Sequence, residues 1–205
     1  MQLLSSDKFK QAKVNNNYFP FFHIKNAFLD NVNIESLVND FPNIRNGGSF
    51  PVDSLASGEL IHQLIHDLES REVKEILEDK FNINLDAAKV ITTLRGYSRN
   101  KDGKIHTDSK TKILTVLLYL NKNWSNKEGN LRFLKENNSL EDYIEEIPCT
   151  FGSLAAFKVT DNCWHGFIPY EGKRLSVQLN YIYPEALKSH NIRHKLSSRI
   201  KSFFK

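Results

Sequence analysis

From Lys89 onward the apolar pattern of this chain changes period, and that change decides what it can fold into. Seven short segments, 89–97, 104–108, 112–121, 130–134, 153–159, 164–168 and 173–183, are rich in β-branched and aromatic residues and are parted by Gly, Asn, Asp or Pro. Short strands at such even spacing point to a sandwich or jelly roll. Before Lys89 the period is mostly helical. Asn33 is a candidate cap for a helix with Ile34, Leu37, Val38 and Phe41 on one face. A second helical stretch over 57–81 sets Leu60, Ile61, Leu64, Ile65 and Leu68 on one face, followed by Val73, Ile76 and Leu77. The run 18–24 suits an edge strand, because Pro20 has no N–H to give to a ladder. Helices first and strands after predict an α+β fold, with helices bracing one face of a double-layered β-core. The expected layout is a single domain over 1–205: 1–88 mainly helical support, 89–183 the β-core, and 184–205 a basic C-terminal helix.

Composition excludes several classes. Of 205 residues, 40% are hydrophobic and 25% charged, as in soluble globular proteins and unlike disordered or fibrous chains. The longest apolar run, Ile113 to Leu120, is far short of the roughly 18 residues a membrane span needs. The amino terminus lacks the basic start and apolar stretch of a secretory signal. Cys149 and Cys163 cannot form a disulfide framework and read as buried thiols in a reducing compartment, so the expected location is cytoplasmic. The net charge of +4 belongs to the tail: residues 188–205 hold six basic residues and no acid, leaving 22 basic against 24 acidic residues before them. A nucleic-acid footprint would lie on the folded body, and this body is slightly acidic, so no nucleic-acid partner is expected. In the tail, Leu187, Ile192, Leu196, Ile200 and Phe203 keep one broad face, which predicts a helix docked on its own domain; an anionic partner or membrane surface is the alternative.

The chemistry concentrates at His106-Thr107-Asp108, after the Gly103 turn. Side chains two apart on a strand project to the same face, so imidazole and carboxylate come together. His165, in DNCWHGF, supplies a third ligand. Two histidines and a carboxylate on one face of a metal leave positions open for a co-substrate and O₂, the arrangement of non-haem iron(II) oxygenases. An H-x-D alone is equally a hydrogen-bonded pair without metal. Nine residues after His165, Arg174 opens the strand RLSVQLNYIY, where its planar fork can grip a carboxylate as lysine cannot. Tyr119, eleven residues after Asp108, can add a hydroxyl to that carboxylate.

KIHTDSKTKILTVLLYLNKNW, EGNLRFLK and GSLAAFKVTDNCWHGFIPYEGKRLSVQLNYI occur in that order over roughly 89–183. In these pieces the chain resembles the Fe(II)- and 2-oxoglutarate-dependent dioxygenases, in their prolyl-hydroxylase-like branch. The resemblance implies a double-stranded β-helix (jelly-roll or cupin-like) core with supporting N-terminal helices and a C-terminal helix. It implies His106, Asp108 and His165 as ligands of Fe(II), and Arg174 with Tyr119 as partners of the distal carboxylate of 2-oxoglutarate. Leu131 matches a position that packs against the co-substrate chain, and Ser176 one where some relatives place a second hydroxyl for the carboxylate. Arg95 and Tyr97 are candidate contacts for substrate or co-substrate. The implied activity is hydroxylation of a small-molecule or peptidyl substrate, with 2-oxoglutarate and O₂ consumed, succinate and CO₂ released, and ascorbate as a stimulant. A free amino acid, a glycan or a small metabolite stands beside a prolyl residue as substrate, and a non-catalytic jelly-roll module is the rival outside enzymes.

The other histidines carry no such pattern. His62 and His66 in HQLIH lie one helical turn apart, but glutamine occupies the position of the general-base glutamate of zinc proteases. His190 and His194 have the same spacing and the same reading. His23, in an aromatic strand, reads as a satisfied structural histidine.

Overall fold

The computed structural model describes residues 2–187. Six strands form one sheet in the order β1 (Phe21–Ile24), β7 (Leu154–Lys158), β4 (Lys112–Tyr119), β9 (Gly172–Ile182), β3 (Lys89–Ser98) and β2 (Phe50–Pro51). Three more, β6 (Tyr143–Ile147), β5 (Leu131–Leu134) and β8 (His165–Gly166), form a second sheet. All pairings within both sheets are antiparallel. Four helices precede Lys89: α1 (Ser6–Gln11), α2 (Ile34–Asn39), α3 (Glu59–Leu68) and α4 (Arg71–Phe81).

Period-two alternation on the central strands divides the molecule in two. On β4 and β9, Leu114, Val116, Leu118, Leu175, Val177, Leu179 and Tyr181 face one way. They share a core with Leu37, Ile61, Leu64, Leu68, Val73 and Leu77 of the helices. The opposite face carries Tyr119, Ala155 and Phe157, which meet Leu131, Phe133 and Ile147 of the smaller sheet. Aromatic rings bind that second cluster: Phe133 lies 5.3 Å from Phe19, 4.7 Å from Phe21 and 5.3 Å from Phe157, mostly edge-on.

Several expectations change. The single stretch over 57–81 is two helices. Ser70 interrupts it because its hydroxyl accepts from the Val73 N–H, and a serine that caps a new helix competes with continuation of the old one. α4 ends at Asn82, whose φ of 47° and ψ of 59° form a left-handed cap. α2 starts at the expected cap, Asn33 accepting from the Ser36 N–H, but it has six residues. So short a helix buries Leu37 and leaves Ile34 exposed. Segment 104–108 is no strand: His106 makes one isolated bridge, to His165. Pro20 lies just outside β1, the last strand of the sheet, which pairs with β7 and bridges to Asn15 through Phe21. α1, β2 and β6 add to what the pattern predicted. Of the docked tail helix expected over 184–205, Pro184–Ala186 form a short 3-10 turn, and residues 188–205 lie outside the described residues. Cys149 and Cys163 are buried and unpaired, and His23 is satisfied by Glu145 at 2.9 Å and Ser153 at 3.1 Å. Among the described residues no helix is long and apolar enough to cross a membrane.

Candidate metal centre and its pocket

His106 and His165 are tied to each other through their backbones, each N–H donating to the other's carbonyl at 3.0 and 2.9 Å. The contact requires the 103–106 loop to lie directly on β8. Gly103, at φ +94°, makes that approach: a Cβ there would come within 2.3 Å of the Phe167 carbonyl, whose N–H donates to Gly103. The ring centroids of the two histidines are 4.3 Å apart. One ligand atom each from His106, Asp108 and His165 lies within 4.8 Å of the others.

Each imidazole has one nitrogen committed. His106 Nδ1 is 2.8 Å from the Lys104 carbonyl, and His165 Nδ1 is 2.8 Å from the Cys163 carbonyl. A carbonyl only accepts, so both Nδ1 atoms carry a proton and Nε2 is the ring nitrogen each histidine leaves for a metal. Burial pushes His165 down to about 4, against the pull of Asp108, so its ring is neutral near pH 7. Burial acts to raise Asp108, but Lys112, His165 and hydrogen bonds from Thr115 and Lys112 outweigh it and hold the carboxyl below its usual range. Thr115 Oγ1 is 2.6 Å from one Asp108 oxygen and Lys112 Nζ is 3.0 Å from the other. Two imidazoles and a carboxylate are the donor chemistry a divalent first-row metal takes, and the second shell that orients them is present.

These groups line a cavity of about 280 Å³ whose floor is a grid of three cross-strand rows. Register places Thr115, Asn180 and Ile91 in the first row, Leu117, Gln178 and Thr93 in the second, and Tyr119, Ser176 and Arg95 in the third. Rows two residues apart are roughly 6.6–7 Å apart along the strands. Arg174, one step beyond Ser176 on the same face, is buried with its Nε donating to the Gly129 carbonyl at 2.9 Å. Its Nη2 reaches the Tyr119 hydroxyl at 3.3 Å, and its guanidinium lies 4.3 Å from the centre of the Phe167 ring. Burial acts to lower Arg174, but Cys149 and Tyr119 outweigh it, and it stays charged; burial pushes Tyr119 up, and it stays a neutral donor. The Ser176 hydroxyl is buried and has no hydrogen-bond partner among the described residues. An orphaned hydroxyl beside a buried arginine is the vacancy a carboxylate fills, so the pocket fits 2-oxoglutarate as well as its metal.

The structure therefore brings His106, Asp108, His165, Arg174, Tyr119, Leu131, Ser176 and Arg95 to one cavity. Tyr97 is not among its lining. A bulge between Arg95 and Tyr97 breaks the alternation, and Tyr97 lines a separate cavity with Phe41, Ile44 and Lys173. Sequence reasoning passed over Lys112, Thr115, Gln178 and Asn180. Their signal was available: each of the last three is a polar residue on the otherwise apolar, alternating strands β4 and β9.

An antiparallel β-core presenting two histidines and a carboxylate beside a buried arginine belongs to the class of non-haem iron oxygenases. Residues 92–182 match the family model of the 2OG-Fe(II) oxygenase superfamily. The β-core is thus a 2OG-Fe(II) oxygenase domain, the domain of an oxidoreductase whose cofactors are iron(II) and 2-oxoglutarate, and the resemblance read from the motifs stands. Among solved structures, the chain is similar to the viral collagen prolyl hydroxylase of Paramecium bursaria Chlorella virus-1 in its 2OG complex, at TM-score 0.54 and 16% identity over 82% of this chain and 97% of that one. It is similar to a prolyl 4-hydroxylase of Phytophthora capsici at 0.57 and 14%, over 88% and 63% of the two chains. It is similar to HygX of Streptomyces hygroscopicus, solved with nickel and 2-oxoglutarate bound, at 0.56 and 12%, over 82% and 84%. At these identities the likeness is one of fold, and the fold is prolyl-hydroxylase-like. No protein of the curated set matches the sequence.

Proposed function

We propose that the protein is an Fe(II)- and 2-oxoglutarate-dependent hydroxylase built on a single domain with a double-stranded β-helix core. The observation that carries this is the meeting of His106, Asp108 and His165 within 4.8 Å in the cavity that also holds Arg174 and Tyr119. In this reading His106 and His165 give Nε2 lone pairs to iron(II), and Asp108 gives a carboxylate oxygen held in place by Thr115. Arg174 and Tyr119 take the distal carboxylate of 2-oxoglutarate, Ser176 adds a hydroxyl, and Leu131 packs along its chain. When bound, iron(II) with 2-oxoglutarate and O₂ supplies the oxidising chemistry, yielding succinate, CO₂ and a hydroxylated substrate carbon. The chain's own work is to fix the donors, neutralise the co-substrate's far end and keep bulk water from the buried Arg174 end of the pocket. The two buried free cysteines accord with a cytoplasmic setting.

The test is a screen of prolyl peptides, free amino acids, sugars and other metabolites for succinate formation with iron(II), 2-oxoglutarate and ascorbate. A substrate that stimulates succinate release in the parent and not in Asp108→Ala supports the reading. Failure of the parent to bind 2-oxoglutarate in the presence of metal sinks it.

A further inference from the structure

Arg95 sits on the floor of the cavity, in register with Ser176 on β9 and in the row that ends at Tyr119. It is half-buried, and among the described residues its guanidinium has no hydrogen-bond or ion-pair partner. The carboxylate it senses, Asp102, is already held by Arg99, through Nε at 3.2 Å, Nη2 at 2.8 Å and the backbone N–H at 3.0 Å. Burial and the like charge of Arg174 both act against the charged form of Arg95, and only Asp102 and Tyr119 oppose them. A cation kept in so unfavourable a place calls for an anion that the described residues do not supply.

The charges of the loaded site leave room for one. A divalent metal, its aspartate and a dianionic co-substrate sum to a single negative charge, which Arg174 cancels. Arg95 then remains an unbalanced positive charge in the same cavity, whereas Lys112 keeps its ion pair with Asp108. Arg95 stands on the side of Ser176 away from Tyr119. Arg95 lies on β3, two strands from β4 and roughly 9–10 Å from the backbone of Tyr119 at ordinary strand spacing. On the side of β3 away from β9 stands the two-residue edge strand β2, preceded by Ser49, which lines the cavity too.

We propose that Arg95 is a specificity-determining residue that holds a carboxylate of the primary substrate, so that this site acts on an acidic small molecule in preference to an internal, uncharged peptide residue. The proposal rests on the hydroxylase reading for what happens to that substrate, and on the cavity alone for the anion site. The same chemistry could be met by 2-oxoglutarate itself, and the experiment separates the two sources.

Acetate and its neutral isostere acetamide serve as probes, read by saturation-transfer NMR on protein loaded with Zn(II) and saturated with 2-oxoglutarate; the affinity for 2-oxoglutarate is measured in parallel by calorimetry. The parent should bind acetate over acetamide. Arg95→Gln should weaken acetate at least about tenfold while leaving 2-oxoglutarate affinity within about twofold, and Arg95→Lys should recover part of the loss. Because Arg95 is unpaired in the free protein, Arg95→Gln should also raise the ligand-free Tm by a few degrees. Acetate binding equal in parent and Arg95→Gln overturns the proposal, as does a loss of 2-oxoglutarate affinity in Arg95→Gln comparable to that of Arg174→Lys. A fall in Tm of several degrees would make Arg95 structural and overturn it as well. Should Zn(II) and 2-oxoglutarate fail to bind at all, the hydroxylase reading fails, and the acetate measurement on the metal-free protein still decides whether Arg95 holds an anion.

Discussion

The Asp108 carboxylate is gripped on both oxygens, by Thr115 and by Lys112. The Thr115 hydroxyl has one proton, and the shorter, charged acceptor takes it, leaving Asn180 at 3.1 Å to complete the chain of polar contacts. Thr115→Val keeps the shape and removes that bond, so affinity for Mn(II), measured by calorimetry, should drop about tenfold. On the co-substrate, Arg174→Lys should weaken 2-oxoglutarate about tenfold or more, since a point charge replaces a fork; Tyr119→Phe should cost on the order of 1 kcal/mol, about fivefold. Calorimetric Kd values for the two variants check both. The depressed His165 predicts a pH effect on the metal-free protein. Its folded value of about 4 lies below the unfolded value near 6.5, so the unfolded chain binds the extra proton first. Stability should be fully present above about pH 6.5 and fall as pH drops toward 4, by a few kcal/mol at most. Urea titrations at several pH values, with His165→Asn as the flat control, measure it.

At the level of elements, β5 is the strand on which the small sheet hangs. Phe133 packs against Phe19, Phe21 and Phe157 and stands edge-on to His165 at 6.4 Å. Phe133→Ala should cost about 3–5 kcal/mol, seen as a lower urea midpoint at unchanged slope, and should loosen metal binding because His165 loses a wall. The same strands explain what the sequence could disclose. The metal donors were legible because two of them stand two residues apart and the third follows in a motif. Arg174 and Tyr119 were legible from their spacing to the donors, nine residues after His165 and eleven after Asp108. The YIEEI of β6 hid itself: three of its five side chains are half-buried and one exposed, so it shows no apolar period, and its place is fixed across the ladder by the Arg132–Glu146 pair at 2.6 Å. The α3–α4 break was equally opaque, because the apolar face runs through it and only one serine side chain turns the backbone. Lys112 escaped notice since a lysine at a strand start is ordinarily solvated, whereas this one is bent onto Asp108.

For the whole molecule, the central sheet is the wall both halves share. Helical residues such as Leu64 and Leu77 belong to one core with Val177 and Leu179 of the β-core, and the buried Asp67 on α3 accepts the Leu3 N–H at 2.5 Å. Helices and strands should consequently unfold together. Far-UV dichroism follows the helices, and the fluorescence of Trp124 and Trp164 follows the β-region; the two urea transitions should coincide, and separated midpoints would divide the chain into two units. The alternation on β9 bears on how such a protein can change over time. Positions 174, 176, 178 and 180 touch whatever occupies the cavity, while 175, 177, 179 and 181 touch only the packing behind it. A lineage, or a library, that varies the first set explores new substrates at nearly constant foldedness. Varying the second gambles the fold without any prospect of a new reaction, so drift on this one strand should be written in every other residue.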